Sequence, residues 1–206
     1  MSSLVRSRLR VAIGRIAAFA CLGLFAIPGV ALASCPASPV TTPFAQWGDS
    51  NNYFLIPGGS FEGTPDQVGW TLSGASLTSG NEPFYVNDSG DSQSLTIAGG
   101  GSATSPFFCV DNTMTSLRFF AQQTAAGAGL RVRALVQSTD GDVNSVPIAR
   151  LTDGSMSNWA PTDVIPGDTS GLSDDQTLMV ALQFTVRPSA ASWQIDDLFV
   201  DPYRSG

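Results

Sequence analysis

The segment Gly80-Asn81-Glu82-Pro83-Phe84-Tyr85 gathers an amide, a carboxylate and two aromatic rings in a loop stiffened by Pro83, and Glu82 is one of only two glutamates beyond residue 33. Flat aromatic faces cover the apolar side of a pyranose ring, while planar amides, carboxylates and arginine bond its hydroxyls. The side chains offering that chemistry are Trp70, Asn81, Glu82, Tyr85, Arg118 and Trp159. Large aromatics are mostly buried, so Trp70 and Phe84 fit a core equally well, and Glu82 fits a solvated loop charge.

Catalytic chemistry is poorly supplied. The chain has no histidine, which removes Ser-His-Asp and Cys-His nucleophile pairs and His-ligated zinc. Glu82 with an aspartate could form a glycosidase pair only across a cleft of defined width, and most acids here stand in turn-like contexts. No G-x-S-x-G, metal-ligand spacing or phosphate-binding glycine loop occurs. The run Asn87-Asp88-Ser89-Gly90-Asp91 lacks the order of an EF-hand loop and reads as a turn. A non-catalytic protein is expected.

Charge narrows the partners. The 206 residues hold 17 acids and 10 basic residues, all arginine, and four of these (Arg6, Arg8, Arg10, Arg15) lie in the first fifteen positions. Beyond residue 33 six arginines face all 17 acids, a net charge of −11. Binding nucleic acid or an anionic membrane needs clustered cations, so neither partner is expected.

Residues 1–33 read as a signal peptide. They comprise an arginine-bearing start, an apolar stretch from Ile16 to Val30 broken by Pro28, and small residues at Ala31 and Ala33, with cleavage before Ser34. The apolar run falls short of the ~20 residues that span a membrane, so the mature domain has no insertion of its own. Cys21 leaves with the signal, and Cys35 and Cys109 remain as an even pair suited to a disulfide outside the cell. That bridge would close a loop of about 75 residues and stabilise by ~4 kcal/mol in the chain-entropy model. Leu32-Ala33-Ser34-Cys35 also reads as a lipobox, in which Cys35 would carry a lipid anchor at the cell surface.

These side chains need a scaffold. Residues 34–52 carry three prolines and no periodicity, and read as an extended arm. From Tyr53 onward short apolar runs alternate with Gly, Pro, Ser, Asn and Asp clusters, without a sustained helical period. In Leu178–Val186 the residues Leu178, Val180, Leu182, Phe184 and Val186 fall on one face. Leu130–Gln137 and Leu117–Gln122 alternate in the same way. Shorter strands are expected at 54–56, 69–72, 75–78, 94–97, 104–110, 145–151 and 193–200, with a long surface connection over 162–176. About ten strands punctuated by turns predict an all-β, two-sheet antiparallel β-sandwich over 53–206, with a monomer expected.

Three pieces of the sequence resemble the galactose-binding-like jelly roll of carbohydrate-binding modules: Pro57-Gly58-Gly59-Ser60-Phe61-Glu62-Gly63, Gly69-Trp70 followed by Gly90-Asp91-Ser92-Gln93-Ser94-Leu95, and Trp193-Gln194-Ile195-Asp196-Asp197-Leu198. The resemblance implies a jelly-roll type of sandwich and a polysaccharide or cell-surface glycan as partner. It also implies one structural Ca²⁺ held by Glu62 and Asp197, with Asp196 as the substitute ligand. Adjacent aspartates in an apolar strand are costly unless a cation or donors satisfy them, and Ca²⁺ takes six to eight oxygens. As a whole the chain is also similar to a group of secreted actinobacterial proteins, a likeness that implies no activity. A structural role at the cell envelope, without any small ligand, is the alternative.

Overall fold

The computed structural model describes residues 35–202 apart from 139, 168, 170, 171, 174 and 175. The expected signal segment and its cleavage site lie outside the described residues. Eleven strands follow in chain order: β1 Phe54–Leu55, β2 Thr71–Ser79, β3 Gln93–Thr104, β4 Phe108–Asp111, β5 Met114–Ala125, β6 Leu130–Gln137, β7 Val143–Leu151, β8 Ala160–Pro161, β9 Ile165–Pro166, β10 Thr177–Val186 and β11 Ser192–Pro202. A 3₁₀ turn at Ala45–Trp47 and a short helix α1 at Pro65–Val68 complete the described elements.

All strand pairings are antiparallel, and the expected β-sandwich is built as one curled sheet in the order β7-β6-β10-β3-β11-β5-β8. Strand β3 makes the curl. Its first half pairs with β11 through Leu95–Ala98, and its last residues Ser102–Thr104 pair with β10. Between them lie Gly99, Gly100 and Gly101. A side chain at Gly99 would collide with the carbonyl of Ser189, and one at Gly101 with the carbonyl of Gly74. Three side-chain-free positions therefore let the strand bend sharply while its backbone stays against its neighbours. Beside them β2 bulges at Gly74, whose φ is +60°. The runs expected as separate strands at 69–72 and 75–78 are thus one strand interrupted by this bulge.

Period two sorts side chains between the core and the outer face. In β10, Val180, Leu182, Phe184 and Val186 are buried inward. In β5, Leu117, Phe119 and Ala121 enter the same core, while Phe120 joins a second cluster with Phe44, Tyr53 and Phe199. That cluster lies on the outer face of β1, β5 and β11, and the 35–52 segment packs over it. Phe44 is fully buried there, and Thr41 pairs with Tyr53 in an antiparallel bridge. The segment is further tied down by the Cys35–Cys109 disulfide, with Cα atoms 5.5 Å apart.

Candidate functional site

The outer face around β11 carries a graded surface. Gln194 of β11 stands in register between Thr96 of β3 and Gln122 of β5. The Gln122 amide donates to Gln194 Oε1 at 2.5 Å, and Thr96 meets the hydroxyl of Thr78 at 2.5 Å. Ala160 of β8 pairs with Ala121, so Trp159 comes beside Gln122, half-buried against the second cluster. One residue pair along, Phe120 is roofed by Phe44 at 5.6 Å, Trp47 at 5.4 Å and Phe84 at 5.8 Å. Trp47 is half-buried, Phe84 is 39% exposed and Tyr85 51% exposed. Phe84 thus belongs to this surface rather than to the core between the sheets.

The 80–91 loop presents these rings because it winds around a buried carboxylate. Glu82 accepts the backbone N–H of Phe84 at 2.6 Å and of Val86 at 2.9 Å, while its own N–H donates to Asp196 Oδ2 at 3.0 Å. Val86 packs against the aromatic cluster, and Tyr85 between Phe84 and Val86 takes a left-handed conformation at φ +52°. Asn81 closes the loop's start by donating from Nδ2 to the carbonyl of Glu82. Glu82 is fully buried. Burial pushes its carboxyl up, and the N–H groups of Val86, Phe84 and Tyr85 work against that shift.

Asp196 and Asp197 lie beneath this loop and both are fully buried. Asp196 accepts from Glu82 and from the N–H of Asp197. Burial, then the neighbouring charge of Asp197, pushes its carboxyl up to about 9. Asp197 sits at a bulge in β11 with φ +46°, and neither of its side-chain oxygens makes a hydrogen bond of full geometry, the backbone N–H of Asn87 being the nearby donor. Burial, followed by repulsion from Glu82, Asp91 and Glu62, pushes it up to about 8. Two sealed oxygens with so little donor support suit a cation. Glu62 takes the N–H groups of Ser92 and Gln93, both at 2.6 Å, and so ties the Phe61-Glu62 segment to the start of β3. Among the described residues no three acidic or sulfur-bearing side chains converge into a ready metal cage. A cation here would draw most of its oxygens from carbonyls. The 87–91 run is the expected turn, with Asp88 Oδ1 accepting from Gly90 and Asn87 donating to Asp91.

The sequence candidates separate. Trp70 is 6% exposed and lies in the core, 4.9 Å from the ring of Phe61 and 5.9 Å from that of Phe184. Arg118 is 7% exposed and fully engaged. Its Nη1 meets Asp49 at 2.8 Å, its Nε donates to the carbonyl of Thr162 at 2.9 Å, and its guanidinium lies 4.3 Å from the centroid of Phe44. Although burial opposes it, hydrogen bonds from Tyr53 and Arg118 hold the Asp49 carboxyl low. Trp159 packs against the aromatic cluster, Tyr85 is exposed on the loop that carries Phe84, and Glu82 and Asn81 shape that loop from within. Sequence reasoning missed Trp47, Gln122 and Gln194. The signal for the two glutamines was their place on the polar side of alternating strands.

No protein-family model and no curated protein sequence matches the chain, and neither search supports the likeness to secreted actinobacterial proteins. Several solved structures are similar to it. One is the Clostridium thermocellum endo-1,4-β-D-xylanase 10B, CBM22-1–GH10 modules complexed with xylohexaose, at 16% identity and a TM-score of 0.48. That match covers 71% of this chain and 28% of that longer one. Another is the CBM22-1 xylan-binding domain from Paenibacillus barcinonensis Xyn10C, at 17% identity and a TM-score of 0.44 over 69% of this chain and 90% of that one. A third is TmCBM61 in complex with β-1,4-galactotriose, at 12% identity and a TM-score of 0.41 over 72% of this chain and 97% of that one. Each of these three contains a carbohydrate-binding module, and at these scores their likeness carries no argument about a ligand.

Proposed function

We propose that the protein is a secreted, non-catalytic module that binds a carbohydrate on the outer face of β3, β11 and β5. The observation that carries this reading is the placement of half-open rings, Trp47, Phe84 and Trp159, with the amides of Gln122 and Gln194, beside the loop that exposes Tyr85. Rings of this kind stack on pyranose faces, and amides both donate to and accept from hydroxyls. Glu82, Asp196 and Asp197, three of the acids with raised pKa values, are sealed from solvent, so a glycosidic oxygen has no path to them, and Asp91, raised and partly exposed, is engaged by Asn87. That burial supports a binding role over hydrolysis.

Secretion fits the 1–33 segment and the disulfide, which persists in oxidising compartments. The bridge engages the Cys35 sulfur that a lipid anchor would need. We further propose one Ca²⁺ at Asp197 and Glu62, with Asp196 alongside. When bound it would neutralise the buried charge and brace the 80–91 loop against the closing strand. The support is the pair of sealed Asp197 oxygens, neither of which makes a hydrogen bond of full geometry.

The test is retention of the purified protein on insoluble polysaccharides and isolated cell walls, with calcium present. Retention on one of them, lost in Trp47→Ala, Tyr85→Ala or Gln194→Ala while the fold persists, supports the reading. No retention of the well-folded protein on any of them returns the structural envelope role.

A further inference from the structure

The interior of the sandwich is sealed at one end and open at the other. Leu130, Val132, Phe184, Trp193 and Ile195 have no exposure, whereas Phe108, Val110, Met114 and Val180 keep 7–9%. The exposed end is a cavity of about 400 Å³. One wall comes from β4 and β10 with Val110, Leu178 and Val180, another from β6 and β7 with Ala134, Val136 and Ile148, and β5 closes it with Leu117. Among the described residues no lining side chain is charged, and the polar ones are the hydroxyl-bearing Ser116 and Thr169.

Aliphatic walls left facing water favour an apolar guest that covers them. A cavity of ~150 Å³ already binds benzene, and ligand pockets run from ~300 to ~1,000 Å³. We propose that this cavity takes the aliphatic chain of a neutral amphiphile, such as an acyl ester or a long-chain alcohol. The lining explains the chain: it offers apolar walls from both sheets. It also explains the neutral head. Among the described lining residues there is no arginine to meet an anion and hydroxyls are the polar partners, while the −11 carried beyond residue 33 repels a carboxylate. The site is separate from the outer aromatic face, so its fate is independent of the carbohydrate reading.

The experiment displaces a neutral fluorescent probe, 1-aminoanthracene, from the purified protein with 1-dodecanol or laurate, and follows the melting temperature in parallel. Dodecanol is expected to displace the probe saturably and raise the melt by several degrees, since it binds the folded state alone. Laurate at neutral pH is expected to bind at least tenfold more weakly. Ala134→Phe fills the cavity from β6 and is expected to weaken dodecanol tenfold or more with an unchanged circular dichroism spectrum. Ile148→Phe, on edge strand β7, serves where the first variant does not fold. Absence of displacement by dodecanol, or undiminished binding in whichever filled variant folds, overturns the proposal. Laurate binding as tightly as dodecanol overturns the neutral head group. Tyr85→Ala is expected to leave dodecanol binding unchanged, which separates this cavity from the sugar-binding face.

Discussion

The carboxylate of Asp196 accepts the backbone N–H of Glu82 at 3.0 Å, joining residues 114 positions apart. Through this bond the closing strand fixes the start of the loop that carries Phe84 and Tyr85. Glu82 then fixes the rest by accepting from Phe84 and Val86. The loop's shape is therefore set by two buried carboxylates.

Glu82→Gln tests that arrangement. An amide nitrogen would confront at least one of the backbone N–H groups that the carboxylate now accepts, leaving a buried donor unsatisfied at about 2 kcal/mol. Urea unfolding is expected to show that loss, together with weakened polysaccharide retention. Unchanged stability would mean that the loop is held by its aromatic contacts instead.

Tyr85 and Trp70 are expected to part company. Tyr85→Ala removes a side chain from a half-exposed position, and should abolish retention on polysaccharide while the melt moves little. Trp70→Ala opens a hole beside Phe61 and Phe184, and should cost about 3–5 kcal/mol. Reduced retention in that variant would report unfolding, so its denaturation curve must be measured alongside.

Metal-free stability should fall as pH rises. Asp196 and Asp197, pushed up to about 9 and about 8 by burial and by neighbouring acids, keep their protons when folded in a range where the unfolded chain has released them. Their contribution is complete below their ordinary value of 3.8 and is lost as pH climbs through the folded values. Calcium favours the ionised carboxylates, so the melting temperature it adds should be larger near pH 8 than near pH 5. Calorimetry in EDTA and in millimolar calcium at both pH values checks this. An equal melt with and without calcium at the higher pH would remove the proposed metal.

Reduction of Cys35–Cys109 should release the arm from the body. The sequence separation is 74 residues, and the loop-closure model puts the loss at ~4 kcal/mol. Chemical denaturation of Cys109→Ser in an oxidising buffer, compared with the parent protein, reads this directly. Intact-mass analysis, with the oxidised protein two protons lighter than the reduced form, verifies the bond beforehand.

Local pattern carried much of the fold. The alternation in β10 places Val180, Leu182, Phe184 and Val186 inward, as hydrophobic periodicity requires. It did not carry β3, because Gly99-Gly100-Gly101 has the composition of a turn and becomes a bend within one strand only when β2, β10 and β11 lie against it. The site was legible in pieces. The 80–85 loop stood out by composition, but Gln122 and Gln194 meet only through a register linking residues 72 apart. Trp47 lies in a proline-rich stretch with no period to assign its face. The buried fate of Trp70 and Arg118 depends on Phe184 and Asp49, partners far along the chain that no local window contains.

Strand β11 holds a central place in the sheet. β11 pairs with β1, β3 and β5 at once. Without β11, β1 would lose its strand partner, while β3 would keep β2 and β10 and β5 would keep β8 and β9. The strand is therefore a seam between two groups that are each paired among themselves, and an interruption there divides the sheet between β3 and β5.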